Sequence, residues 1–206
     1  MSDPTFEAIS KAKRQSESGN HTGAANTLEE FLRTDPHNTK ARLELARIAI
    51  YGLKDEEYGL MQLEAILDID PDNVDALGAQ VTVLSKNKKN NKVVKEKLDR
   101  LMELDPTAET YNMYARFLKF QMADFKGAEQ CYIKALEMEP GKYEYHQNYA
   151  VLLLNDLKDY PKAKKELEIM LDMRPGDPKV QKAYDRLMKE KFDKDGNVKK
   201  RGLFRR

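Results

Sequence analysis

A charged residue followed by proline recurs along the chain every 34 or 35 residues, and this period constrains the fold more than any other feature. The five dipeptides are Asp35-Pro36, Asp70-Pro71, Asp105-Pro106, Glu139-Pro140 and Arg174-Pro175. Units of this length that end on proline are typical of repeated helical hairpins. Because one hairpin cannot bury its apolar face alone, the units are expected to stack on one another.

Positions counted back from each proline predict two helices in every unit. Sixteen residues back stands a residue whose side-chain oxygen can cap a helix: Asn20, Asp55, Asn90, Asp124 and Asp159. Large apolar residues follow at helical spacing and form one face of that second helix: Leu28 and Leu32, Leu63 and Leu67, Leu98 and Met102, Tyr132 and Leu136, and Leu167 and Leu171. The first helix of each unit carries a mostly small residue where a neighbouring helix can approach: Ala12, Ala46, Val81, Ala115 and Ala150.

This pattern resembles the tetratricopeptide repeat, which has small residues in both helices, an aspartate–aromatic pair at the turn and a final proline. Asp124-Phe125 with Ala128 and Pro140 matches it closely. The family's tryptophan is absent throughout, and four units carry one extra residue in the turn between their helices. The resemblance implies an all-α fold, a right-handed superhelical solenoid of five hairpins with a C-terminal capping helix.

The predicted organisation has five repeats, one capping helix and one tail. The repeats cover residues 4–37, 38–72, 73–107, 108–141 and 142–176. Residues 177–192 are predicted to cap the last repeat, since Pro178 suits a first helical turn and Val180, Tyr184 and Leu187 share one face. Residues 193–206 are predicted to be a basic, disordered tail.

Composition narrows the class of protein. The 36 basic and 35 acidic residues leave a net charge of +1, which disfavours a general attraction to nucleic acid or membranes. A single cysteine, Cys131, excludes an internal disulfide and a cysteine-based zinc site. Neither a signal peptide nor a membrane span is predicted, so a soluble, cytoplasmic protein is expected.

The search for catalytic groups predicts no enzyme, no cofactor and no metal site. His21, His37 and His146 lie in separate repeats, without the spacing that would place two imidazoles on one helix face. The segment from Gly19 to Gly23 lacks the lysine of a phosphate-binding loop. Cys131 has no evident histidine partner within its helix.

The resemblance also implies a binding groove, because the first helices of the family's repeats line a concave face that holds a partner peptide or helix. The groove residues transferred by register are Lys13, Arg47, Tyr51, Gly78, Thr82, Asn112, Arg116, Phe120, Gln147 and Asn148. Basic residues recur at one of these positions, in Lys13, Arg47 and Arg116, which favours a partner with an acidic group beside a bulky side chain. The lysines and asparagines that clamp chaperone C-termini in one subclass are not present as a set.

The sequence therefore predicts a non-catalytic scaffold or adaptor, favoured to be monomeric, that binds a protein or peptide of unidentified sequence. One alternative from another class stays open. An RNA- or anionic-surface-associated protein could use the basic turn from Lys86 to Lys92 and the tail from Lys199 to Arg206.

Overall fold

In the computed structural model, residues 3–199 are described, and they form two compact units divided between Asp105 and Pro106. The described residues contain eleven α-helices, and their β structure is limited to an isolated bridge between Phe192 and Val198. The predicted all-α class and the predicted number of helices are therefore confirmed.

The first unit consists of three helical hairpins. Its helices are α1 (Pro4–Glu17), α2 (His21–Thr34), α3 (Thr39–Arg47), α4 (Glu56–Ile69), α5 (Val74–Leu84) and α6 (Asn91–Leu104). Each helix packs on its successor, and small residues such as Ala12 and Ala24 are fully buried where α1 meets α2. Leu28, a predicted periodic position, packs in the same core, together with Leu45.

The second unit contains two hairpins and a final helix. Its helices are α7 (Ala108–Phe117), α8 (Phe125–Met138), α9 (Tyr143–Leu152), α10 (Tyr160–Met173) and α11 (Pro178–Lys191). Helix α11 packs on α10, and its residues Val180 and Leu187 join the same core as Leu167 and Met170 of α10. The final helix thus covers the apolar face of the last hairpin.

Four of the five predicted helix caps form as expected. The side chains of Asn20, Asp55, Asp124 and Asp159 each accept a hydrogen bond from the backbone amide three residues later, at 2.9 to 3.2 Å. Asn90 does not cap α6 in this way. A short 3₁₀ turn, Lys88–Asn90, precedes that helix and is capped by Asn87. The side-chain amide of Asn90 instead donates to the carbonyl of Leu84 at 3.2 Å.

Three first helices take in an extra residue by widening into a π-helical turn. Helices α3, α7 and α9 continue into the π-helical turns Ile48–Leu53, Leu118–Met122 and Leu153–Leu157. Each turn ends at a non-glycine residue with positive φ: Lys54 at 62°, Ala123 at 54° and Lys158 at 56°. A π-turn encloses one more residue than an α-turn, which explains the extra residue that the sequence places before α4, α8 and α10.

Replacement of Ala123 by glycine is expected to raise the free energy of unfolding by about 0.5–1 kcal/mol. The left-handed conformation costs an L-residue roughly 1–2 kcal/mol, and the greater unfolded-state entropy of glycine offsets part of that gain. Urea denaturation followed by circular dichroism would measure the change. Ala183→Gly, within regular α11, should lower stability by about 1 kcal/mol, and a loss of stability in both variants would contradict the expected relief of strain at Ala123.

The chain beyond α11 begins with a tight turn. The Asp193 carboxylate accepts hydrogen bonds from the amides of Asp195 and Asn197 at 3.0 and 2.8 Å. The amide of Lys199 then donates to the carbonyl of Lys191 at 2.8 Å, which brings the chain back against the end of α11. The rest of the predicted tail, residues 200–206, lies outside the described residues.

Candidate partner-binding site

The second unit contains a cavity of about 760 Å³ beside α7 and α9. The residues that line it come from α7 and its π-helical turn, from α8, from α9 and the turn before it, and from the residue that follows α10. They are Arg116, Lys119, Phe120, Tyr132, Gly141, Lys142, Tyr143, Glu144, Gln147, Asn148, Val151 and Arg174. We call this the α7–α9 cavity.

Five of the ten predicted groove residues lie at this cavity or directly below it. Arg116, Phe120, Gln147 and Asn148 line it. Asn112 is fully buried, and its side-chain oxygen accepts a hydrogen bond at 3.0 Å from the Asn148 amide group. The register transferred from the family pattern therefore brings these residues of α7 and α9 together.

The other five predicted residues lie in the first unit, where nearby carboxylates partly balance the basic ones. The Glu44 carboxylate lies 3.8 Å from the Lys13 ammonium and 3.9 Å from the Arg47 guanidinium. Arg47 also lies 3.9 Å from Asp75, so these two cations have acidic neighbours within their own unit.

The small and aromatic members of the first-unit set are open to solvent. Tyr51 is 57% exposed in the π-helical turn after α3. A Cβ added to Gly78 would meet no atom within 4 Å. The Thr82 hydroxyl donates a hydrogen bond to the Gly78 carbonyl at 3.0 Å, and its side chain is exposed.

The α7–α9 cavity is cationic. Arg116 is exposed, and its guanidinium forms no ion pair with any of the residues described. The Arg174 guanidinium stacks on the Tyr143 ring at 3.8 Å, and the Tyr143 hydroxyl donates to Asp177 at 3.0 Å, which holds the arginine in place. Lys142 adds a further positive charge, whereas Glu144 is the one carboxylate among the lining residues.

Lys119 contributes less charge to the cavity than its position in the sequence suggests. Its side chain is only 6% exposed, and its ammonium lies 3.5 Å from Asp156 and 4.7 Å from the centre of the Phe120 ring. Burial lowers the pKa of Lys119, while the Asp156 carboxylate acts in the opposite direction. This lysine mainly links the two π-helical turns of the second unit.

Apolar surface accompanies the positive charge. Phe120 is 57% exposed and Val151 is 37% exposed, and both line the cavity. Tyr132 lies deeper, and burial raises the pKa of its hydroxyl. The cavity therefore offers apolar surface beside the guanidinium groups of Arg116 and Arg174.

Lys142, Tyr143 and Arg174 are among the lining residues that the sequence analysis did not name, because they lie at helix ends, outside the part of the first helices to which the family register was transferred. Lys142 and Tyr143 begin α9, and Arg174 follows α10. One signal could have identified Arg174. It is the only basic residue among the five that precede the recurring prolines, and the other four are acidic.

The remaining candidate groups are engaged in packing. The imidazole of buried His146 contacts Glu166 at 2.6 Å and the Pro140 carbonyl at 2.8 Å. Burial raises the pKa of Cys131, which opposes a nucleophilic thiolate. Among residues 3–199, no cluster of histidine, cysteine or carboxylate side chains could hold a metal ion, and no helix has the length and apolar character needed to cross a membrane.

The basic turn after α5 is partly neutralised. The Lys86 ammonium forms an ion pair with Glu56 of α4. The lysines that follow belong to the short 3₁₀ turn and to the start of α6, where none of their side chains is buried.

Comparisons with known proteins agree with the architecture. A family model described as a tetratricopeptide repeat matches residues 9–57. No curated protein sequence matches the chain. Among solved structures, a thermophilic tetratricopeptide repeat protein of Thermus thermophilus is 16% identical with a TM-score of 0.68, over 89% of this chain and 98% of the other.

Two further solved structures are similar in fold. PilF of Pseudomonas aeruginosa is 17% identical with a TM-score of 0.76, over 90% of this chain and 83% of its own. MamA of Desulfovibrio magneticus RS-1 is 18% identical with a TM-score of 0.69, over 86% of this chain and 99% of the MamA fragment. At these identities the likeness concerns the fold.

Proposed function

Since the chain carries a tetratricopeptide repeat and has the fold of tetratricopeptide repeat proteins, we propose that it is a non-catalytic scaffold or adaptor that binds a segment of a partner protein. The α7–α9 cavity is the proposed binding site. The observation that carries this proposal is the convergence of Arg116 and Arg174 beside the exposed ring of Phe120.

The openness of the cavity favours a peptide over a small metabolite. Sites for small molecules enclose most of their ligand, whereas this cavity is open at the protein surface, where an extended chain can enter and leave. A carboxylate can form a bidentate contact with a guanidinium group, and a bulky apolar side chain can pack on Phe120 and Val151. The proposed partner segment therefore combines an acidic and an apolar residue.

A direct test uses a fluorescein-labelled synthetic peptide with one glutamate next to one phenylalanine, flanked by serine and glycine. We expect Arg116→Glu/Arg174→Glu to weaken binding of this peptide by about tenfold, because reversal of the two charges replaces attraction with repulsion. Fluorescence anisotropy with the full chain would measure the dissociation constant.

The matched control reverses two lysines elsewhere in the second unit. Lys126 and Lys165 are exposed and do not line the cavity. Lys126→Glu/Lys165→Glu changes the net charge equally, so we expect binding within about twofold of the parent chain. If the two double variants lost binding equally, the peptide would be held by net charge and the cavity would not be the site.

The alternative of RNA or anionic-surface binding is tested by charge reversal in the basic turn, compared with reversal of Arg116. The pairing of Lys86 with Glu56 lowers the net positive charge of the basic turn below what its sequence suggests. The alternative would be favoured over the peptide site if the affinity for a labelled single-stranded RNA fell steeply with added salt. That affinity should then be lost when the charges of Lys88 and Lys89 are reversed, but not when the charge of Arg116 is reversed.

A further inference from the structure

A second cavity, of about 590 Å³, lies in the same unit between the end of the α9 segment and α11. We call it the α9–α11 cavity. Leu154, Tyr160 and Leu187 form its apolar part. The repeat pattern and the family register did not predict this cavity, because α11 is the capping helix and lies outside the repeats.

Three lysines converge on the α9–α11 cavity without a carboxylate partner. Lys158, Lys179 and Lys182 are exposed, and within residues 3–199 none of them lies at ion-pair distance from an acidic side chain. Glu190 is the one carboxylate in the lining, and it is engaged by Arg186 at 2.9 Å. The cavity therefore has uncompensated positive charge beside an apolar surface, as the α7–α9 cavity does.

One stripe of α9 and its π-helical turn joins the two cavities. Gln147 and Val151 line the first cavity, and Leu154, Asn155 and Lys158 line the second. Spacings of three and four residues put these side chains on one helix face. Val151 and Leu154 thus form a largely apolar bridge from one cationic site to the next.

The distance between the two sites fixes the spacing of a ligand that reaches both. From Gln147, which lines the first cavity, to Asn155, which lines the second, the helix rises about 12 Å. An extended peptide covers about 3.3 Å per residue, so acidic groups about four or five residues apart would reach both cavities.

We propose that the two cavities together bind one extended acidic segment of a protein partner, with one carboxylate in each cavity and an apolar residue over Val151 and Leu154. This inference rests on the proposed peptide-binding function and specifies its ligand class. Two cationic cavities at a fixed separation select for the spacing of the acidic groups as well as for their charge, because a segment with adjacent acids can occupy only one cavity at a time.

The test uses synthetic dodecapeptides of equal length and net charge, each with two glutamates and one leucine, in which the glutamates stand one to eight positions apart. The leucine lies between the glutamates in every peptide except the one with adjacent glutamates, where it follows them. The parent chain should bind tightest at a separation of about four or five, and about tenfold tighter than at a separation of one. Lys179→Glu/Lys182→Glu should remove this spacing preference. The affinity for the peptide with adjacent glutamates should stay within about twofold of that of the parent chain.

Each outcome has a distinct meaning. The control Lys126→Glu/Lys165→Glu should keep the spacing preference. Equal affinity at all separations, or a spacing preference that survives Lys179→Glu/Lys182→Glu, would overturn the two-cavity inference. The proposed function would still stand in that case if peptide affinity depended on Arg116. If the parent chain bound none of the peptides, both proposals would fail.

Discussion

Truncation of the chain after Gly176 is expected to unfold the second unit or to make it aggregate. The cut removes α11 together with Val180, Leu187 and Phe192, each at most 6% exposed in the core of that unit. Burial of each such side chain contributes roughly 1.5–3 kcal/mol, so the loss is about 5 kcal/mol or more, comparable with the whole stability of many domains. The exposed face of α10 would then be an apolar patch open to association.

Size-exclusion chromatography and urea denaturation would measure this effect against two matched variants. Truncation after Lys199 keeps α11 and the turn that follows it, so we expect stability within about 0.5 kcal/mol of the full chain. Leu187→Ala should cost about 2–4 kcal/mol without loss of the helix. A monomeric chain that ended at Gly176 and matched the full chain in stability would show that α11 does not cap the unit.

The sequence predicts the helices well because their signals are local and repeated. Small residues such as Ala12 and Ala24 are buried where the spacing predicted close contact. In the sequence, each π-helical turn appears only as one extra residue between two helices. A wider helical turn and a longer loop would both add one residue, so the sequence does not distinguish them. Asn90 fails to cap α6 because a 3₁₀ turn forms before that helix. The side chain of Asn87 caps this turn, and the sequence alone does not show which asparagine acts as the cap.

The candidate site was predictable only in part, because a cavity depends on contacts between elements. The helical register predicted Arg116 and Gln147, which lie in the first helices of their hairpins. Arg174 enters the cavity from a turn and is held by its stacking on Tyr143, an interaction between residues distant in sequence. Burial of Lys119 likewise depends on its pairing with Asp156 from another repeat.

Substitution of His146 by leucine is expected to lower the free energy of unfolding by about 3–5 kcal/mol. The ring is 5% exposed, and its Nδ1 lies 2.6 Å from a carboxyl oxygen of Glu166 while its Nε2–H donates to the Pro140 carbonyl at 2.8 Å. Leucine fills the space but leaves Glu166 buried without its partner, and removal of one member of such a pair is costly. Chemical denaturation of the full chain would measure the loss.

A double-mutant cycle separates this pairing from simple packing. Replacement of both members, His146→Leu/Glu166→Leu, removes the buried acid together with its partner, so we expect the double variant to be more stable than His146→Leu alone by about 2 kcal/mol. Because His146 also holds the carbonyl of Pro140, next to Gly141 and Lys142 of the α7–α9 cavity, both variants should weaken peptide binding even where stability is recovered. Glu166→Leu alone completes the cycle, and if the losses of stability in His146→Leu and Glu166→Leu simply added in the double variant, the histidine would contribute volume and not its contact with Glu166.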